Sequence, residues 1–434
     1  MLPHRCHGRC VQDVNSPLQI RDYQFFWLAR FLAVFSTLSM VVLIGYQTYD
    51  VARSDYGMDK AQAAFQLGLL GLVQFIPLFL LTPVAGYAAD RFERRKVAVF
   101  ANLLDSCSAL ALALFTWFDA LNLPILFTIA AAHGAARIFT GPALSAIAPN
   151  IVPPRLLPKA IALSSIAWQA GTVIGPAVGG LLFGLSESLP YFVSFGLLLT
   201  SAALTLGIRP VHPPRDGKEL KPLRQMAEGL TFTIRQRFLL GCITLDLFAV
   251  LLGGATALLP VYARDILHVG AEGLGIMRGA PALGAGLVAL WLSFRPVERN
   301  VGVKMLWAVV VFGAATIGFG LSTEMWLSLT MLFVLGAADM VSVFIRSTLV
   351  QLHTPDAMRG RVSSVSGLAI SASNELGEMR AGAFAAVMGS VGAVVIGGAG
   401  AIFITALWSW LFPELRRART FDPQDSDDNK GRAT

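Results

Sequence analysis

GYAADRFERRK, residues 86–96, places six charges in the seven positions from Asp90 to Lys96. The chain is apolar on both sides of this stretch. Only 14% of the 434 residues are charged and 55% are hydrophobic, whereas a soluble domain is about a quarter charged. The apolar residues come in runs of roughly 20 or more, the length that spans a bilayer as a helix. The charged stretch therefore reads as a short turn between two membrane spans, and the chain as an all-α membrane protein.

Twelve such runs can be separated: 24–48, 64–88, 97–118, 124–148, 160–184, 189–208, 238–262, 273–294, 303–321, 325–349, 363–389 and 391–412. Their hydrophobicity continues around each helix, which suits burial in lipid better than one stripe on a soluble helix. With an intracellular N-terminus, 26 of the 34 Lys and Arg fall on the inner side. The opposite loops hold only Arg53, Lys60, Arg264 and Arg278, and Arg30, Arg137, Arg346 and Arg380 fall within or at the edge of spans. This bias predicts both termini in the cytoplasm. It also accounts for the net charge of +7 without a nucleic-acid partner.

The longest internal polar segment divides the chain. Residues 1–22 read as a tail, 23–208 as a first six-helix bundle, 209–237 as a central loop, 238–412 as a second bundle and 413–434 as a second tail. Within the loop, Leu223, Met226, Leu230 and Ile234 recur at helical spacing, predicting an amphipathic helix on the inner surface, with a plain linker as the alternative. VPPRLLPKAIALSSI and HTPDAMRGRVSSVSGL enter spans five and eleven, and Pro154 and Pro355 mark a weak repeat of about half the chain. The first apolar run is too long for a signal peptide, so none is expected. His4, Cys6, His7 and Cys10 have metal-ligand chemistry, but they read as part of a flexible terminus. Cys107 and Cys242 lie in apolar runs. No metal site, disulfide framework or cofactor is expected. There is no nucleotide loop or nucleophile–base pair, so the chain does not read as an enzyme and does not draw energy from ATP.

Positive-inside topology explains Arg94, Arg95 and Lys96. It does not explain Gly86, Asp90 and Arg91 in that order. The pattern G-x-x-x-D-R-x-x-R-R resembles the signature between the second and third helices of the major facilitator superfamily. Span count, central loop and topology extend that likeness over nearly the whole chain. The resemblance implies two pseudo-symmetric six-helix bundles and a charged latch that holds the halves together on the cytoplasmic side. Asp90 and Arg91 would be its main residues, with Gly86, Arg94 and Arg95 supporting them. Only one clear copy exists, because FRPVERNVGVK in the second half lacks the order.

Other spans sharpen the reading. Arg137, followed by Gly141, resembles the second motif of proton-coupled members, and an arginine within a bilayer normally faces a cavity or a partner. GTVIGPAVGG places Gly171, Gly175 and Gly179 on one face for close helix packing. Together with Pro176 and Gly180 it resembles the antiporter motif of exporters. Asp105, Asp246, Asp339, Glu375 and Glu378 are intramembrane acids, each with a structural or a proton-carrying role open to it. Glu375 and Glu378 share a helix face, and Arg380 lies close enough in sequence to offset them. Arg30 is a candidate for attracting an anionic substrate, or a side chain snorkelling to the interface. Trp168 and Gln169 are candidate cavity residues.

FFWLARFLAVFS, QLHTPDAMRGRVSSVSGL and ELRRART resemble the drug–proton antiporter branch that contains enterobactin (siderophore) exporters. This implies a monomeric carrier of the bacterial inner membrane, exporting a siderophore or drug-like amphipathic molecule against protons. Uptake of a sugar or organic acid is the alternative, and a non-transporting membrane sensor a further one.

Overall fold

A computed structural model describes residues 16–210, 222–295 and 297–421. The His4–Cys10 stretch lies outside them, as do the side chains of Gly86, Asp90, Gly141 and Leu223. Among the described residues the secondary structure is helical. Spans one to six are α1 (Arg21–Ser54), α2 (Lys60–Arg91), α3 (Arg94–Trp117), α4 (Leu123–Ile151), α5 (Leu157–Leu185) and α6 (Leu189–Leu206). The surface helix α7 (Pro222–Arg235) precedes α8 (Arg237–Gly253), which runs on through short turns into a π-turn at Tyr262–Ile266. α9 (Gly270–Phe294), α10 (Val301–Gly320) and α11 (Met325–Leu352) follow. The next helix, α12 (Asp356–Leu411), contains the last two spans, and α13 (Pro413–Arg417) is the last helix among the described residues.

One position divides α12. Gly389 has φ 80° and ψ 160°, a region open essentially to glycine alone. Arg380 reaches the backbone at Gly397, although 17 helical residues would separate the two by about 25 Å. The helix therefore turns back on itself, giving arms α12a (356–388) and α12b (390–411). With them the spans number twelve, as the apolar runs predict.

Lipid offers no hydrogen bonds, so polar side chains in the spans bond to one another or to backbone. Tyr23 donates to the Ala160 carbonyl at 2.6 Å, and Tyr191 to Gln47 at 2.7 Å. Asn102 donates to Ser201, which donates on to the Ala29 carbonyl. These bonds tie α1, α3, α5 and α6 into the first half. At helix starts, Asp59 caps α2 through the Gln62 amide at 2.7 Å, and Asn122 caps α4 through the Ile125 amide at 3.0 Å.

The halves meet along two helix pairs, α2 with α12a and α5 with α9. Counted as spans these are two with eleven and five with eight. Adding six to a span of one pair gives a member of the other, the relation expected of a two-fold repeat. Small residues allow the approach. A Cβ on Gly68 would stand 2.8 Å from the Met379 carbonyl, and one on Gly71 would stand 3.0 Å from that of Glu375. These close approaches lie in the half of the molecule far from the termini. Toward the terminal face Phe79, Leu80 and Val84 on α2, and Ile161 and Ile166 on α5, are exposed. Packing between the halves is thus tight at the far face and looser toward the termini, as suits a molecule open on the terminal side.

The predicted amphipathic helix forms as α7. It is held to α12a by Glu228 and Arg361 at 2.8 Å, with Gly229 against the Arg361 carbonyl. Leu230 and Ile234 point away from the protein, which suits a helix lying on a membrane surface.

Candidate functional site

A cavity of about 230 Å³ lies between the halves. α1 contributes Leu38 and Val41, α2 Gln74 and Leu78, and α4 Arg137. The second half contributes Val250, Thr256 and Arg278, with Ser371, Asn374, Glu375 and Glu378 from α12a. A second pocket of about 40 Å³ continues it between Leu67, Leu70 and Leu274. The wall thus combines aliphatic surface with two arginines, two glutamates and four neutral polar side chains.

The charges are arranged across the dividing plane. Arg137 Nη1 of the first half lies 3.8 Å from Glu375 Oε1 of the second, and it donates to Gln74 Oε1 at 3.5 Å. Arg278 donates to the Thr256 carbonyl at 3.3 Å and shares the cavity wall with Glu378. Glu378 packs its Cβ against Gly71 of α2. Two unit charges 4 Å apart interact by about 4 kcal/mol at an effective dielectric of 20. Burying any one of them alone costs several kcal/mol. With both glutamates ionised the four groups sum to zero, and losing either partner would leave a buried charge.

Arg278 is a correction to the charge count above. It lies well inside α9 and lines the cavity, not the far loop. Its place just after the expected start of span eight, at residue 273, was the available signal. Arg380 is a second correction. It does not offset Glu375 and Glu378 but lies over the Phe384 ring at 5.1 Å, its Nε and Nη1 without hydrogen-bond partners.

Two other polar clusters flank the cavity. Asp246 of α8 pairs with Arg346 of α11, and Asp246 lines a small void together with Asp339 and Ser342. Val250 lines this void and the central cavity alike. In the first half, Thr37 donates to Asp105 Oδ2 at 2.9 Å, and Asp105 Oδ1 meets His133 Nδ1 at 2.5 Å. The fully buried His133 leaves its Nε2 without a partner. Nothing in the sequence reading pointed to His133. Its only mark is its place one helical turn before Arg137.

The other candidates are dispersed. Gln169 donates to the Ala282 carbonyl at 2.6 Å, bridging α5 and α9. Trp168 is 47% exposed, and neither residue lines the central cavity described here. Arg30 is half-buried near Tyr23, with Nε unpartnered.

The glycine motif has two faces. Cβ atoms on Gly171, Gly175 and Gly179 would collide with α1, at Val34, the Phe35 carbonyl and Ser39. Gly180 instead faces the Ala271 carbonyl of α9, and a Cβ on Gly275 of α9 would stand 2.5 Å from the Pro176 carbonyl. One short sequence thus serves packing within a half and packing between halves.

At the terminal face, Arg95 pairs with Glu93 at 2.8 Å. It also donates to the Leu206 and Ile208 carbonyls at 3.0 and 2.8 Å, capping the end of α6 within the first half.

The profile of the Major Facilitator Superfamily matches residues 26–378. The chain belongs to that superfamily. It is 26% identical to the enterobactin exporter EntS of Shigella boydii over 402 residues, covering 92% of this chain and 93% of that one. EntS of several Escherichia coli strains matches at the same identity. In fold it is similar to the peptide transporter POT in complex with sulfate, with TM-score 0.71, 13% identity and 92% and 96% of the two chains covered. A bacterial homologue of the lysosomal transporter Spinster, inward-facing and unoccupied, gives TM-score 0.66 at 17% identity over 94% and 97% of the chains. The chain is a membrane transporter and not an enzyme.

Proposed function

We propose that this transporter exports an amphipathic small molecule, siderophore or drug-like, across the bacterial inner membrane in exchange for protons. The observation that carries the reading is Arg137 of one half facing Glu375 of the other, 3.8 Å apart, on the wall of the central cavity. A proton on Glu375 neutralises the group that Arg137 faces. A substrate donor group bound to the ionised carboxylate competes with that proton. Exclusive occupation of one site by proton or substrate is what antiport requires. Glu378 and Arg278 extend the site, and Asp246 and Asp339, behind Val250, are further proton-coupling candidates. One proton crossing 100 mV supplies about 2.3 kcal/mol.

The Lys/Arg bias supports cytoplasmic termini, making the open face internal and the closed face external. Export is supported by the glycine motif of α5 and by the relatives named as enterobactin exporters. Gly86, Asp90 and Arg91 would form the inner latch, which holds only when the cavity opens outward.

The test is uptake of candidate substrates into everted vesicles under an imposed pH gradient, with the substrate chosen by profiling a deletion strain for retained siderophore and drug sensitivity. Accumulation should stop with a protonophore and in Glu375→Gln. Transport indifferent to the proton gradient, or following sodium, would reject antiport.

A further inference from the structure

At the far face the two halves are joined by a polar clasp that no motif announces. Its first half comes from the last turns of α1. Its second half comes from the π-turn at Tyr262–Ile266. Tyr49 donates to Asp265 Oδ2 at 2.5 Å, and Arg53 Nε lies 3.6 Å from the same oxygen. Arg264 Nη1 lies 2.8 Å from Asp50 Oδ1 and 3.1 Å from the Asp50 carbonyl, and Nη2 donates to Ser54 at 3.0 Å. Consecutive residues of an ordinary helix point about 100° apart. The widened π-turn brings Arg264 and Asp265 together against α1, and such turns recur at functional positions.

Both sides of the clasp are anchored within their own half. Arg53 donates to the Met58 carbonyl at 2.7 Å, which holds it at the end of α1. Tyr262 is fully buried and donates to the Gly320 carbonyl of α10 at 2.7 Å. The π-turn therefore moves with the second half as α1 moves with the first. All five contacts between the sides must break for the far face to open. The glycine-lined contacts of α2 with α12a and α5 with α9 resist opening by shape alone. The clasp adds charge, and with it a fixed register.

We propose that Arg264 and Asp265, held by the π-turn, and Tyr49, Asp50 and Arg53 of α1 form the gate that controls access to the central cavity from the face opposite the termini. The proposal is independent of which substrate moves and of what drives it. It sets an ionic closure at one face against the Asp90–Arg91 latch proposed at the other. Each conformational change then exchanges one charged closure for another, which keeps the two states close in free energy.

The test needs no substrate. In a chain whose four native cysteines are replaced by serine, Val41→Cys places a thiol on the cavity wall. A membrane-impermeant maleimide is applied to right-side-out and to everted membranes. Tyr49→Phe and Arg264→Ala should each speed labelling from the far face by about tenfold or more, as expected for losing a hydrogen bond to a charged group. The exchange Asp50→Arg with Arg264→Asp should restore slow labelling. Labelling from the terminal face should slow in the single variants, a change that general loosening would not produce. Unchanged far-face labelling in Tyr49→Phe, which removes one hydroxyl without altering the packing, would overturn the proposal. So would an exchange variant that labels as fast as Arg264→Ala. If the topology were reversed, the effects would swap between the two membrane preparations, so that error would show itself separately.

Discussion

Gly175 and Gly180 lie five residues apart in one motif, and an added methyl group should act differently at each. A Cβ on Gly180 would overlap the Ala271 carbonyl and stand 3.2 Å from the Gly275 Cα, both in the other half. A Cβ on Gly175 would overlap the Phe35 carbonyl and stand 3.1 Å from the Phe35 Cα, both in its own half. In each case the obstacle is backbone, which cannot move aside by changing rotamer. Overpacking of this kind costs about 1–3 kcal/mol. In Gly180→Ala that cost falls on the closed far face alone, because the α5–α9 contact parts when the face opens. The equilibrium should move toward the outward-open state by about 5- to 150-fold, the Boltzmann factor for that cost. In Gly175→Ala the α1–α5 contact persists in both states, so the cost falls on the fold. The assay is far-face labelling of Val41→Cys, paired with thermal unfolding in detergent. Gly180→Ala should label faster with little loss of thermal stability, and Gly175→Ala should melt lower with labelling unchanged. Equal labelling in the two variants would refute the division of the motif into faces.

Gly389→Ala should lower the unfolding midpoint, because a residue with a Cβ at φ 80° costs about 1–3 kcal/mol; an unchanged midpoint would mean that the turn between the last two spans adopts another conformation. Asp246→Asn leaves Arg346 buried without its ionised partner, so unfolding stability should fall by about 3–5 kcal/mol. Asp246→Leu combined with Arg346→Met should recover most of that loss, and a double variant no better than the single one would show that the pair does more than neutralise itself. Asp90→Asn should abolish transport while membrane insertion stays intact, and wild-type efflux from that variant would remove Asp90 from the latch.

The twelve spans and their grouping were legible because membrane burial acts on composition over about 20 residues at a time. The gap expected between residues 389 and 391 falls at the reversal at Gly389. Gly171, Gly175 and Gly179 were legible as one face because helical spacing alone places them there. Which helix covers that face is a matter of assembly, as is the turning of Gly180 toward the other half. The site divides in the same way. Arg137, Glu375 and Glu378 stood out because charge within a span is rare. Their convergence did not, since 238 residues separate Arg137 from Glu375.

The misreadings share a cause. Arg278 was assigned to a loop because a charge near the expected end of a span is ambiguous until the helix is placed against its neighbours. Arg380 was paired with Glu375 and Glu378 because nearness in sequence stood in for direction. Tyr49, Arg264 and Asp265 carried no motif, since their meaning arises only when α1 and the π-turn come side by side. By itself, then, the sequence determined what crosses the membrane, the family and the packing face of α5, because these follow from local composition and spacing. Only the tertiary structure decided which charges meet in the cavity and what closes the far face. Those contacts join residues from different halves, and no local pattern records the distance between them.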